Sequence, residues 1–314
     1  MSPPSRRGAN VRPDMSLRLQ GTYTALVTPF LDQPDQPIDW SAFDALVEKQ
    51  IAGGVTGVAP CGTTGESPTL SHEEHAQVVE RTVKRARGRL QVVAGTGSNS
   101  TREAIALSQH AERAGADAVM VVVPYYNRPT QEGLLRHFVA VARSVSLPVV
   151  IYNIPVRTGV DLTAETLARI AEAAPNVVAT KEATGNVVRA QKIAQSMGGR
   201  LAVLCGDDAL TLPMVAVGAR GVISVTSNVL PGEVSRATKL ALEGSFEEAR
   251  AAHFALLPLH ESLFLEASPA PIKAALALRG IAKDVVRPPL AACTEGTRRA
   301  LVAALEAFPA RDRA

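Results

Sequence analysis

The run LPVVIY (147–152) is followed, after an amphipathic stretch of helical length at 163–173, by NVVATK (176–181). Both runs are short, rich in β-branched residues and apolar on both faces. That pattern predicts parallel strands covered by helices, not half-exposed strands of alternating polarity. The same unit recurs in both directions. Upstream lie TYTALV (22–27), GVTGVA (54–59), LQVVAG (90–95) and DAVMVVV (117–123); downstream lie LAVLCG (201–206) and GVISV (221–225). The intervening segments 41–53, 71–87, 101–114, 130–144, 186–197 and 208–218 have helical spacing. Ser41, Ser71 with Glu74 three residues on, and Thr163 are the expected caps. Eight strands joined by helical crossovers predict an α/β fold, a (βα)8 TIM barrel. An open doubly wound sheet is the alternative, because periodicity does not show closure. Beyond residue 230 the pattern is only helical: 232–243, 246–263, 270–279 and 294–307. The expected organisation is a mobile tail over 1–20, a barrel over 21–245 and a C-terminal helical extension over 246–314.

Composition narrows the function classes. A net charge of +3 gives no electrostatic case for nucleic acid or an anionic membrane surface. No run of about 18 apolar residues is present, and the first residues carry no apolar core of a secretion signal. Met15 offers a second start within the tail. Cys61, Cys205 and Cys293 form an odd set without CxxC spacing, which argues against a disulfide framework or a zinc site. A reducing cytoplasm is the natural setting, and no metal is expected.

In such barrels the chemistry gathers at the C-terminal ends of the strands. There the chain places Gly62-Thr63-Thr64-Gly65, Pro124-Tyr125-Tyr126-Asn127, Tyr152-Asn153, Lys181-Glu182, Gly206-Asp207-Asp208 and Ile223-Ser224. Only seven of the 33 basic residues are lysines, and Lys181 directly follows an apolar run. An amine must be neutral to attack a ketone, and burial disfavours an ammonium. The competing reading is a strand-end lysine paired with Glu182 or another carboxylate. Tyr152, one strand away, is placed to shuttle protons, or else is a core tyrosine with a satisfied hydroxyl. Three of the four tyrosines fall at these strand ends, which favours function. The Gly62–Gly65 turn offers N–H groups and hydroxyls to a small carboxylate but lacks the ending of a P-loop. Arg157 suits a bidentate grip on a second carboxylate, or is a surface arginine. His72 and His75 have no evident third ligand nearby.

Taken together, GTTGES (62–67), PYYNRPTQEGL (124–134), YNIPVRTG (152–159), KEATGN (181–186), GDDAL (206–210) and GVISVTSNV (221–229) resemble the dihydrodipicolinate synthase family, also called 4-hydroxy-tetrahydrodipicolinate synthase, of the N-acetylneuraminate lyase and class I pyruvate aldolase superfamily. The match runs from about Gly21 to the C-terminus. The resemblance implies a barrel with a helical extension, assembled as a homotetramer, a dimer of dimers. It implies condensation of pyruvate with L-aspartate-4-semialdehyde on the diaminopimelate route to lysine, with no cofactor. Lys181 then resembles the imine-forming lysine and Tyr152 the proton donor and acceptor. Thr63 and Tyr126 complete the relay, Tyr126 reaching in from a neighbouring subunit. Thr64, Ile223 and Gly206 match the pyruvate pocket, and Arg157 matches the residue holding the semialdehyde carboxylate. Ser67, His72, His75, Asn99, Glu103 and Tyr125 match an allosteric site for L-lysine, with Glu103 toward the ammonium and His75 and Tyr125 toward the carboxylate.

Sister activities share the lysine and the tyrosine. They include N-acetylneuraminate lyase and aldolases for keto-deoxy sugar acids. The paired threonines and Arg157 favour the synthase, because a short charged aldehyde needs an arginine and a long polyol does not. A catalytically silent metabolite sensor is the third reading; intact Lys181, Tyr152 and Thr63 oppose it. Pro68 and Ser268 depart from the family pattern.

Overall fold

The structure is a computed structural model that describes residues 17–309. Eight strands, β1 (Gly21–Ala25), β2 (Gly57–Ala59), β3 (Gln91–Gly95), β4 (Ala118–Val122), β5 (Val149–Asn153), β6 (Val177–Glu182), β7 (Ala202–Cys205) and β8 (Gly221–Ser224), pair in order and in parallel. The ring closes because β1 also pairs with β8, Gly21 opposite Gly221 and Thr24 opposite Ser224. Closure removes the open sheet from consideration. It also explains one glycine: a Cβ on Gly221 would stand 2.0 Å from the Gly21 carbonyl oxygen. The tail expected over residues 1–20 lies, for residues 1–16, outside the described residues. Leu19 is buried against the barrel interior.

Side-chain alternation splits each strand between two cores. Val149 and Ile151 pack outward against the helices, while Val150 and Tyr152 point into the barrel. The interior is filled unevenly. Ala25, Ala59, Ala118, Ala179 and Ala202 leave room that Tyr23, Met120, Tyr152, Leu204 and Ile223 take up. Tyr23 passes so close to β2 that a Cβ on Gly57 would sit 2.7 Å from its ring.

The helices sit where the periodicity placed them, with local differences. Ser71 and Glu74 form a full capping box, and Thr163 caps the helix Ala164–Ala173. The helix Trp40–Ala52 is capped by Asp39, not Ser41: the Asp39 carboxylate accepts from Ala42 N–H, which puts the cap two residues earlier than expected. The segment 208–218 breaks into a 3-10 turn Asp208–Leu210 and a short helix Thr211–Ala216. Downstream come Phe246–Ser262, Ala270–Leu278 and Glu295–Glu306. No helix among the described residues is long and apolar enough to cross a membrane.

Candidate active site

The register of one strand pair aims the central residue. Val149 lies opposite Val177, but Val150 lies opposite Ala179, so the pairing of β5 and β6 shifts by one residue. Without the shift Tyr152 would face Thr180, whose side chain points outward. With it, Tyr152 stands beside Lys181 on the inner face. Such irregularities re-aim side chains beside functional sites. The Lys181 Nζ lies 4.1 Å from the centroid of the Tyr152 ring, and both residues are buried at 5% exposure.

Glu182 does not hold Lys181. Alternation sends it to the other face, where it accepts from Thr184 N–H at 3.1 Å and from Arg189 Nε at 3.1 Å. Among the described residues Lys181 makes no ion pair. The strand-end pairing that competed with a chemical role is therefore absent.

A cavity of about 450 Å³ opens at this end of the barrel. Thr63, Tyr152 and Arg157 line it, with Met120 from β4 below. Arg157 is exposed on the one-turn helix Pro155–Thr158. Thr64 is buried in the turn after β2, and Ile223 is buried in β8. Gly206 donates its N–H to the Glu182 carbonyl at 2.8 Å. Only glycine fits there, since a Cβ would meet that of Ala183 at 2.6 Å. The turn after Ile223 is pinned by the buried Asp208, which accepts from Ser224 Oγ at 2.5 Å and Val225 N–H at 2.8 Å. Burial and the neighbouring Asp208 charge raise the Asp207 carboxyl.

The second group of residues shares the same cavity. Ser67, His72, His75, Glu103 and Tyr125 line it, and Pro68 lies among them. Asn99 does not line it; its backbone oxygen accepts from Asn127 Nδ2 at 2.9 Å. Glu103 takes a hydrogen bond from Ser98 Oγ and meets His72 Nε2 at 2.7 Å. Those two partners hold its carboxyl below the usual range. Burial lowers the His75 imidazole, which favours the neutral ring. Its Nε2 lies 2.8 Å from the Gly95 carbonyl and so must donate. Its buried Nδ1 is then an acceptor, and it has no partner among the described residues.

Tyr126 stands apart. It is 89% exposed, in a left-handed backbone at φ 72°. Cys61 and Cys205 are free and buried, and burial pushes both thiols far up, so neither is placed as a nucleophile. Among the described residues no three His, Cys, Asp or Glu side chains converge to hold a metal ion.

Sequence reasoning passed over Met120 in the cavity and over Glu66 behind it. Glu66 is fully buried against Lys273 of the helix Ala270–Leu278. The one signal was a lysine inside the apolar run PIKAALAL (271–278).

A sequence profile of the dihydrodipicolinate synthetase family matches residues 18–308. The 4-hydroxy-tetrahydrodipicolinate synthase of Sorangium cellulosum is 57% identical over 296 residues, spanning 94% of this chain and 98% of its own. That of Geotalea daltonii is 48% identical over 289 residues, spanning 92% and 98%. Among solved structures, the synthase of Methylacidiphilum fumariolicum SolV superposes with a TM-score of 0.90 at 47% identity, covering 92% of this chain and 96% of that one. The chloride-inhibited Acinetobacter baumannii enzyme complexed with pyruvate gives 0.90 at 42%, covering 92% and 99%. The Cyanidioschyzon merolae enzyme with lysine bound gives 0.88 at 38%, covering 92% and 97%.

Proposed function

This chain belongs to the dihydrodipicolinate synthetase family, and from that membership we propose that it condenses pyruvate with L-aspartate-4-semialdehyde on Lys181 to give 4-hydroxy-tetrahydrodipicolinate. The observation that carries the reading is Lys181 itself: buried, inward-facing, unpaired with any described carboxylate and set against Tyr152. Its amine adds to the pyruvate ketone, and loss of water leaves an imine. Removal of a methyl proton turns the imine into an enamine, whose carbon attacks the aldehyde of the second substrate. The amino group of that substrate then displaces Lys181 and closes the ring. Tyr152 carries the protons, with Thr63 and Tyr126. Thr64, Gly206 and the Ile223 backbone hold pyruvate, and Arg157 takes the carboxylate of the semialdehyde. The exposure of Tyr126 supports its completing a neighbour's site in a homotetramer. The free cysteines suit a reducing cytoplasm.

We assign the other end of the cavity to L-lysine as a feedback inhibitor. Glu103, ionised between Ser98 and His72, faces an ammonium. His75 presents an acceptor, so it takes an N–H of the ligand and not, as the resemblance implied, the carboxylate. Tyr125 is left to the carboxylate. Titration with L-lysine should lower turnover progressively; a flat response into the tens of millimolar, roughly a few kcal/mol of affinity, would sink this assignment.

The catalytic reading is tested by borohydride trapping. With pyruvate, the wild type should gain a reduced adduct on Lys181. A protein that takes no adduct does not work through this imine. Consumption of pyruvate with the semialdehyde, but not with sugar aldehydes, separates the synthase from the sugar-acid aldolases.

A further inference from the structure

We propose that Glu66, Lys273 and Arg287 are positioning residues, through which the helix Ala270–Leu278 and the segment after it fix the turn that carries Thr63, Thr64 and Ser67. The proposal rests on the reading that Thr63 passes protons for a reaction on Lys181. None of the three lines the cavity.

The turn is built on Glu66. Its backbone is left-handed at φ 55°, a region that a residue with a side chain seldom adopts. Its N–H donates to the Thr63 carbonyl at 3.1 Å, and Ser67 N–H donates to the Gly62 carbonyl at 3.3 Å. Its own carbonyl accepts from Thr69 Oγ1 at 3.0 Å. The Thr63 backbone is thus tied to the residue whose side chain is clamped most tightly.

The clamp comes from far along the chain. Glu66 Oε1 pairs with Lys273 Nζ, and Oε2 accepts from Arg287 N–H at 3.0 Å. Lys273 also donates to the Val285 carbonyl at 2.8 Å and lies 4.0 Å from the centroid of the Phe30 ring. The Arg287 guanidinium covers the same ring at 4.2 Å. It grips both Glu74 oxygens at 2.7 and 2.6 Å and donates to the carbonyls of Thr69 and Gln36, each at 2.9 Å. The turn is therefore held at Glu66 and again at Thr69. Two aliphatic anchors would fill the space as well, but they would not fix the direction of Glu66. A buried ion pair is weak evidence of stability, whereas this one sets the direction of the Glu66 side chain.

The test uses the full chain and three variants: Glu66→Gln, Lys273→Met and the two combined. The double variant leaves no lone buried charge and should fold, as judged by circular dichroism. With pyruvate and borohydride it should take the Lys181 adduct to the wild-type extent. Its kcat should fall about tenfold or more while the KM for pyruvate moves less than about threefold, since a misplacement of about 1 Å is enough for such a loss. Each single variant should fall at least as far. A double variant with kcat within about twofold of wild type overturns the proposal and leaves the network a purely stabilising role. Loss of the adduct together with kcat also overturns it, because the effect then reaches Lys181. Should the double variant not fold, Arg287→Lys keeps the charge but loses the forked grip; kcat down about threefold with the adduct intact supports the proposal, and unchanged kcat overturns it. A wild type without adduct removes the underlying reading instead, and trapping distinguishes that failure.

Discussion

Two lysines are buried among the described residues, and they have opposite company. Lys181 and Lys273 each lie over an aromatic ring, at 4.1 Å from Tyr152 and 4.0 Å from Phe30. Lys273 is paired with Glu66 and donates to Val285, so its donors are committed. Lys181 pairs with no described carboxylate and lies against Tyr152, which lines the cavity. A paired ammonium has no lone pair to offer a carbonyl carbon, and Lys273 does not line the cavity. The difference shows that burial alone does not mark a nucleophile. What marks it is burial without a counter-charge, next to space for a substrate.

The largest effect should come from removing the first lysine. Lys181→Ala should lower kcat by about 10^4-fold or more, the range that loss of a covalent nucleophile costs, and should abolish the trapped adduct. A Lys181→Ala protein that still turns over at a tenth of the wild-type rate would erase the contrast. The second lysine should be lost differently. Lys273→Met should cost about 3–5 kcal/mol of stability, because the buried Glu66 loses its ionic partner. Denaturant melts would measure it, and the added Glu66→Gln change should restore most of the loss. Next comes Tyr152→Phe, which should lower kcat about 10^2-fold while the pyruvate adduct still forms; mass spectrometry after borohydride reads the second half.

The smallest effect is a slope. Burial pulls the Lys273 ammonium down from 10.5 to about 8, against the Glu66 carboxylate beside it. Between those values the unfolded chain holds a proton that the folded chain does not. Stability from this group therefore rises with pH across about 8 to 10.5. Lys273→Met should flatten that rise relative to wild type in melts taken across the window, and Lys181→Ala should leave the Lys273 contribution in place.

Much of the molecule was legible in the chain. Runs such as DAVMVVV and LPVVIY announce doubly covered strands, and all eight lie where they were read. The motifs around Lys181 and Tyr152 announced the family. The caps were read less well: Asp39 took the place of Ser41, since its carboxylate accepts from Ala42 N–H and the helix begins at Trp40. The cavity was legible as residues but not as one space. Nothing in the spacing of Thr63 and Glu103 says that their two groups line a single volume.

By itself, the sequence determined the βα alternation, the two buried faces of each strand and the identity of the strand-end residues, because these follow from local periodicity and residue type. Three things were decided only in the tertiary structure. Closure depends on β1 meeting β8 across 200 residues of chain, Gly21 at Gly221. The aim of Lys181 depends on a one-residue register shift between β5 and β6, which no single strand encodes. The hold on the Thr63 turn depends on Lys273 and Arg287, more than 200 residues away. Pairing, register and charge neutralisation are properties of two segments at once, so neither segment read alone carries them.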